Sequence, residues 1–248
     1  MKGRLLLLLA LPVLVVLGQV LLESAWAGPQ PECDVPNRQN EIDFPLPRTT
    51  KAIAAKRLTI LVVGAGSSQL PGAAAKNAYP ARLQQALGAK LPGVEVKVVT
   101  DVKATRTAAE MVKTLPPALA AAKPALMVWQ TATVDAMQGV DPDHFSQMLE
   151  KGINIARSAG ADVIFVNPQY SPRTESMIAL GAYVENMRWV ALQQQVPLFD
   201  RFNLMKAWSD LGTFDLYSAT KKLDMAERVH DCLGRLLAGL VLEAAKSN

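Results

Sequence analysis

The stretch at residues 58–72, LTILVVGAGSSQLPG, constrains this chain more than any other, because an apolar run stops abruptly in a turn of glycines and serines. A continuous apolar, β-branched run without polar alternation suits a parallel strand buried on both faces. In open α/β sheets, the loop leaving the carboxyl end of a strand is where ligands and nucleophiles sit. Ser67 and Ser68 are the hydroxyls that this turn offers.

The same design recurs along the chain. Apolar runs at 94–99, 125–130, 161–166 and 196–199 alternate with helix-like stretches at 79–90, 108–122, 143–158, 175–195 and 223–245. That alternation predicts one domain with a five-stranded, mostly parallel sheet in a three-layer α/β/α sandwich. Asp141 and Pro142 open one helix as N-cap and N1 proline, and Gly160 follows its end. Pro116 and Pro117 are expected to kink or split the helix that holds them. Residues 28–50, with Pro29, Pro31, Pro36, Pro45 and Pro47, read as an extended arm laid over the domain, and regular structure is expected from about residue 58.

The amino terminus reads as an export signal. Lys2 and Arg4 precede an apolar run at 5–22, and Ala25-Trp26-Ala27 supplies the small-residue cleavage pattern. The expected layout is a signal peptide at 1–27 cleaved after Ala27, a Pro-rich arm at 28–56 and a folded domain at 57–248, in the periplasm or secreted. An uncleaved leader would instead serve as a membrane anchor, but Pro12, Gly18 and Gln19 interrupt the run. The chain carries a formal charge of +4. Losing Lys2, Arg4 and Glu23 with the leader leaves about +3, too mild to imply nucleic acid, and no cluster of basic residues interleaved with aromatics suggests a nucleic-acid groove. The two cysteines, Cys33 and Cys232, could form one disulfide in an oxidising compartment, tying the arm to the last helix.

Cofactor signatures fail on inspection. Gln69 stands where a G-x-G-x-x-G fingerprint needs its third glycine, and no Gly-Lys-Ser/Thr follows. The two histidines, His144 and His230, lack partners at metal-ligand spacing, so neither metal nor cofactor is expected. Glu227 and His230 share a helix face three residues apart, which suggests an exposed ion pair. A serine nucleophile would need a base, almost always histidine, together with an oxyanion hole.

The ordered segments Cys33-Asp34-Val35-Pro36, Pro45-Leu46-Pro47-Arg48, Tyr79-Pro80-Ala81-Arg82-Leu83, residues 91–96, Val128-Trp129-Gln130 and Asn167-Pro168-Gln169-Tyr170-Ser171-Pro172 resemble a periplasmic branch of the SGNH/GDSL hydrolases. The resemblance covers about 33–242 and implies the flavodoxin-like fold of exported esterases and acetyl hydrolases. It also implies where the catalytic blocks fall. The nucleophile, two residues after the glycine ending the first strand, falls on Gly66. The oxyanion glycine of the second block falls in a loop without glycine, at Ala104. The Gly-x-Asn-Asp block falls on Ala132-Thr133-Val134-Asp135, which puts Val134 in place of the asparagine donor. The Asp-x-x-His pair falls on Lys221 and Asp224.

With these substitutions the chain reads as a pseudoenzyme that binds a glycan, an acylated ligand or an exported protein partner at the former cleft. The candidate contacts are Ser67, Ser68, Gln130, Thr133, Asp135, Gln169, Tyr170 and Arg173. The alternative is a divergent serine ester hydrolase: a two-residue shift of the first block makes Ser68, or its neighbour Ser67, the nucleophile. His230 would then stand six residues beyond the matched base position, roughly 9 Å along a helix axis.

Overall fold

The computed structural model describes Cys33 and residues 44–218 and 223–246; the leader, most of the arm and Lys221 lie outside the described residues. Five strands form one sheet: β1 (Arg57–Gly64), β2 (Glu95–Val102), β3 (Leu126–Gln130), β4 (Asp162–Val166) and β5 (Leu198–Phe199). Their order is β2-β1-β3-β4-β5, and every neighbouring pair runs parallel. The chain leaves β1 toward β2 and then crosses to β3 on the other side of β1. This makes the carboxyl ends of β1 and β3 the topological switch point, where sheets of this order bind ligands.

Side-chain alternation divides the core in two. Ile60, Val62, Val128, Ile164 and Val166 point to one face, with Leu83, Leu87, Trp208, Leu233 and Leu237 packed against them. Those side chains come from α2 (Tyr79–Lys90), α8 (Arg201–Asp210) and α9 (Leu223–Ala244). Leu61, Val63, Met127, Trp129 and Phe165 point to the other, against Met111, Phe145, Ile153 and Met187. That layer is built by α3 (Ala108–Ala122), α5 (Pro142–Ser158) and α7 (Gly181–Gln194). Each fully buried side chain of this size contributes about 1.5–3 kcal/mol. Gly152 lets α5 approach the sheet, since a Cβ there would meet the Trp129 ring at 2.2 Å.

Three sequence expectations change here. The helix α1 (Pro47–Ala54) begins inside the segment read as extended. Pro47 opens it at N1, where proline suits a helix, and Thr49 anchors it through its N–H and hydroxyl to Asp162 Oδ2 at 2.8 and 2.9 Å. In α3, Pro116 and Pro117 lie inside one uninterrupted helical segment. Both are exposed, so water can satisfy the carbonyls they orphan, while Met111, Val112, Leu115 and Leu119 hold the opposite face on the core. The stretch at 175–195 is two helices, α6 (Pro172–Met177) and α7.

Cys33 and Cys232 are joined by a disulfide across 199 positions of sequence. On the chain-entropy account, closing so long a loop contributes about 5 kcal/mol. Among the described residues no helix is long and apolar enough to cross a membrane.

Candidate functional site

The turn after β1 is built around a close approach. A Cβ at Gly64 would sit 2.4 Å from Ser68 Oγ, so only glycine lets the chain fold back there. Residues Gly66–Ser68 then form a single 3-10 turn, with the Ser68 N–H donating to the Ala65 carbonyl at 2.9 Å. This turn sends its two serines in different directions. Ser68 is buried; its hydroxyl donates to Gln130 Oε1 at 3.0 Å and, with its own hydrogen so committed, accepts from the Tyr79 hydroxyl at 2.9 Å. Gln130 Oε1 also accepts from the Ala65 N–H at 3.0 Å, locking the loops of β1 and β3 together. Ser67 is half-buried, and its Oγ accepts from Arg201 Nη2 at 3.0 Å.

Gly66 faces the second loop. A Cβ built there would lie 3.6 to 3.7 Å from the Cα, carbonyl oxygen and Cβ of Ala104, which is ordinary contact distance. Arg106 holds that loop: its Nη1 donates to Asp101 Oδ2 at 2.9 Å and to Thr114 Oγ1 at 3.0 Å, while Nη2 donates to the backbone carbonyl of Asp101.

In the third loop Ala132 adopts φ +86°, a conformation that costs a residue with a Cβ of order 1–3 kcal/mol. It leads into the short helix α4 (Thr133–Met137). Asp135 accepts from the Ala108 N–H at 2.9 Å and from the Thr131 hydroxyl at 3.3 Å, so it caps α3, and burial holds its carboxyl above the usual range. Thr133 Oγ1 is buried without a hydrogen-bond partner among the described residues. Val134 packs into the core layer on the α3 side.

The fourth loop contributes mainly structure. Asn167 Nδ2 donates to Asp200 Oδ1 at 2.7 Å, and Arg188 donates to Asp200 Oδ2 at 2.8 Å. The Tyr170 ring is buried edge-on against Phe202 with Lys206 Nζ above it, which commits it to packing. Gln169 is half-buried and Arg173 exposed.

His230 is not the exposed ion-pair residue its spacing from Glu227 suggests. It is buried, its Nδ1 accepts the Tyr79 N–H at 2.9 Å, and its ring stacks on Tyr79. It thereby caps the amino end of α2, where burial and the nearby Arg201 charge push the imidazole down to about 3. A neutral acceptor is what a helix amino terminus favours. His144 is exposed in the first turn of α5, and Asp224 is exposed in the first turn of α9.

The sequence matches the family model of the Non-GDSL lipase-like family over residues 32–247. The chain belongs to this family. Esterase TesA of Pseudomonas aeruginosa is 33% identical over 119 residues, a match covering 46% of this chain and 58% of that protein's length. A crystal structure of TesA superposes with a TM-score of 0.58 at 27% identity, covering 73% of this chain and 99% of that one. An acetylxylan esterase from Geobacillus stearothermophilus, at 16% identity, shares the fold with a TM-score of 0.60 over 74% of this chain and 94% of its own. The protein is thus an SGNH-type lipase- and esterase-like chain on the corresponding five-stranded parallel sheet.

Set on this family's fold, the residues expected at the cleft fall into two groups. Gly66 and Ala104 lie side by side, and Ser68, Gln130 and Tyr79 form one network. Thr131 and Asp135 join that region to α3. Neither histidine is among the hydrogen-bond partners of Ser67 or Ser68. Sequence reasoning missed Tyr79 and Arg201. For Arg201 the available signal was Asp200, an N-cap accepting from the Asn203 N–H at 3.1 Å, which marks a helix start and turns the next residue inward. Ser68 also touches a hollow of about 420 Å³ between α2 and β2, lined further by Gln69, Gln84 and Thr100.

Proposed function

We propose that the protein is an exported, non-catalytic member of its family that binds a glycan or an acylated ligand at the cleft over the carboxyl ends of β1 and β3. The observation that carries this reading is Gly66. It occupies the position that the family resemblance assigns to the nucleophile, in contact range of Ala104, and its side chain is a hydrogen that cannot attack an ester.

The neighbouring hydroxyls do not replace it. The proton of Ser68 is held by an amide oxygen, which is no base, and the Ser67 oxygen accepts from a guanidinium, which lowers its nucleophilicity. Val134 offers no side-chain donor to an oxyanion. In serine hydrolases, loss of nucleophile or base lowers kcat by about a million-fold.

The test is a fluorophosphonate probe together with a short-chain acyl ester assay on the purified exported protein. The expected result is no serine adduct and no turnover above that of the Ser67→Ala and Ser68→Ala variants. Serine-dependent labelling with turnover abolished by either substitution would establish the divergent hydrolase instead.

A further inference from the structure

Among the described residues, no carboxylate pairs with the buried charge of Arg201. The residue is 1% exposed, yet among the described residues its guanidinium meets only the Ser67 carbonyl at 3.2 Å and Ser67 Oγ at 3.0 Å, and its buried Nε has no hydrogen-bond partner. Other partly or fully buried arginines are treated differently: Arg106 pairs with Asp101, Arg188 with Asp200, and Arg82 with Asp231. The titratable groups facing Arg201 are Tyr79 and His230. Burial holds the Tyr79 phenol above its ordinary value and the imidazole at about 3, so both are uncharged at neutral pH. Arg201 itself, lowered to about 10 by burial, stays a cation. A buried cation normally has an anionic partner.

The route to such a partner runs through Ser67. Because its oxygen accepts from the guanidinium, its own hydrogen is left to donate, and no described residue accepts it. A hydroxyl polarised by a cation is a stronger donor, best matched by a charged acceptor. Ser67 is half-buried and follows Gly66, so this donor stands at the mouth of the cleft.

We infer that Ser67, backed by Arg201, is the seat for a carboxylate of the ligand. The cleft therefore selects acids, either a uronate sugar or a fatty acid, over their neutral counterparts. This rests on the cleft being a ligand site, as proposed above, and it deepens that reading by naming the recognised group.

The test titrates the purified protein at pH 7 with sodium glucuronate and with sodium octanoate, each against its neutral amide, by calorimetry. At least one acid should bind about tenfold more tightly than its amide, and which acid does so identifies the source of the carboxylate. Ser67→Ala, which leaves the buried arginine in place, should lose about tenfold in acid affinity and distinctly less in amide affinity, so that the preference narrows. Arg201→Gln should abolish the preference, and circular dichroism checks that it folds. Equal binding of acid and amide, no binding of either acid, or an unchanged preference in Ser67→Ala would each overturn the inference. Neutral glycan or ester binding without acid preference would sink the carboxylate seat and leave the non-catalytic reading standing, whereas ester turnover would sink that reading independently of the titration.

Discussion

The inner and outer sides of the β1 turn obey opposite rules. On the inner side four hydrogen bonds of 2.9 to 3.0 Å link Ser68, Gln130, Tyr79 and His230 with the Ala65 and Tyr79 N–H groups. On the outer side lie the strained Ala132, the Thr133 hydroxyl, unpartnered among the described residues, and the polarised Ser67, with the buried Arg201 behind it. A satisfied polar network fixes a backbone, while strain and unmet polar groups concentrate where ligands are handled. The inner side is thus the frame and the outer side the proposed working surface, with Gly66 where the family resemblance expects the nucleophile.

The largest break in this contrast comes from acid on the inner side. His230 sits at about 3 in the fold against about 6.5 unfolded, so the neutral imidazole is the folded form. Its contribution is fully present above about pH 6.5 and is lost as pH falls toward 3, at about 1.4 kcal/mol per unit, or about 4 kcal/mol by pH 3.5. Asp135, held above its ordinary value by burial, acts in the opposite sense, so the slope must be read as a difference between variants. His230→Gln keeps an acceptor for the Tyr79 N–H without titrating, and urea unfolding at pH 7 and 4.5 should show that part of the acid loss gone.

Next in size is Gly64→Ala. Its Cβ would displace the Ser68 hydroxyl from Gln130 and Tyr79, at a cost of about 2–3 kcal/mol in denaturant unfolding. On the outer side, Ala132→Gly should stabilise the protein by about 1 kcal/mol, because glycine accepts φ +86° without strain. A destabilised Ala132→Gly variant would show that this loop is not the strained part. The smallest effect is expected from Gly66→Ser: with ordinary contacts around the new Cβ, stability should change by under about 0.5 kcal/mol. The variant should still fail to turn over ester, since a nucleophile has been added without a base.

Much of the frame was legible in the sequence. The runs of β1, β3 and β4 are buried on both faces over most of their length and apolar apart from Arg57, Thr59, Gln130 and Asp162, which marks them as inner parallel strands. The misreadings share a cause, in that a residue's local preference was overruled by its context. Pro47 starts α1 instead of continuing an extended arm, and Pro116 and Pro117 ride the solvent face of α3. The working surface was less legible. Which serine turns inward is decided by the 3-10 turn, and a charged residue after a short strand reads as surface, although Asp200 turns Arg201 into the interior.

If the proposed cleft has kept its frame without a nucleophile, none of its serines should react with a phosphonylating probe. Intact-mass spectrometry of the purified protein after exposure to excess fluorophosphonate tests this most directly. An unmodified mass is expected; a stoichiometric adduct mapped to Ser67 or Ser68 would sink the non-catalytic reading.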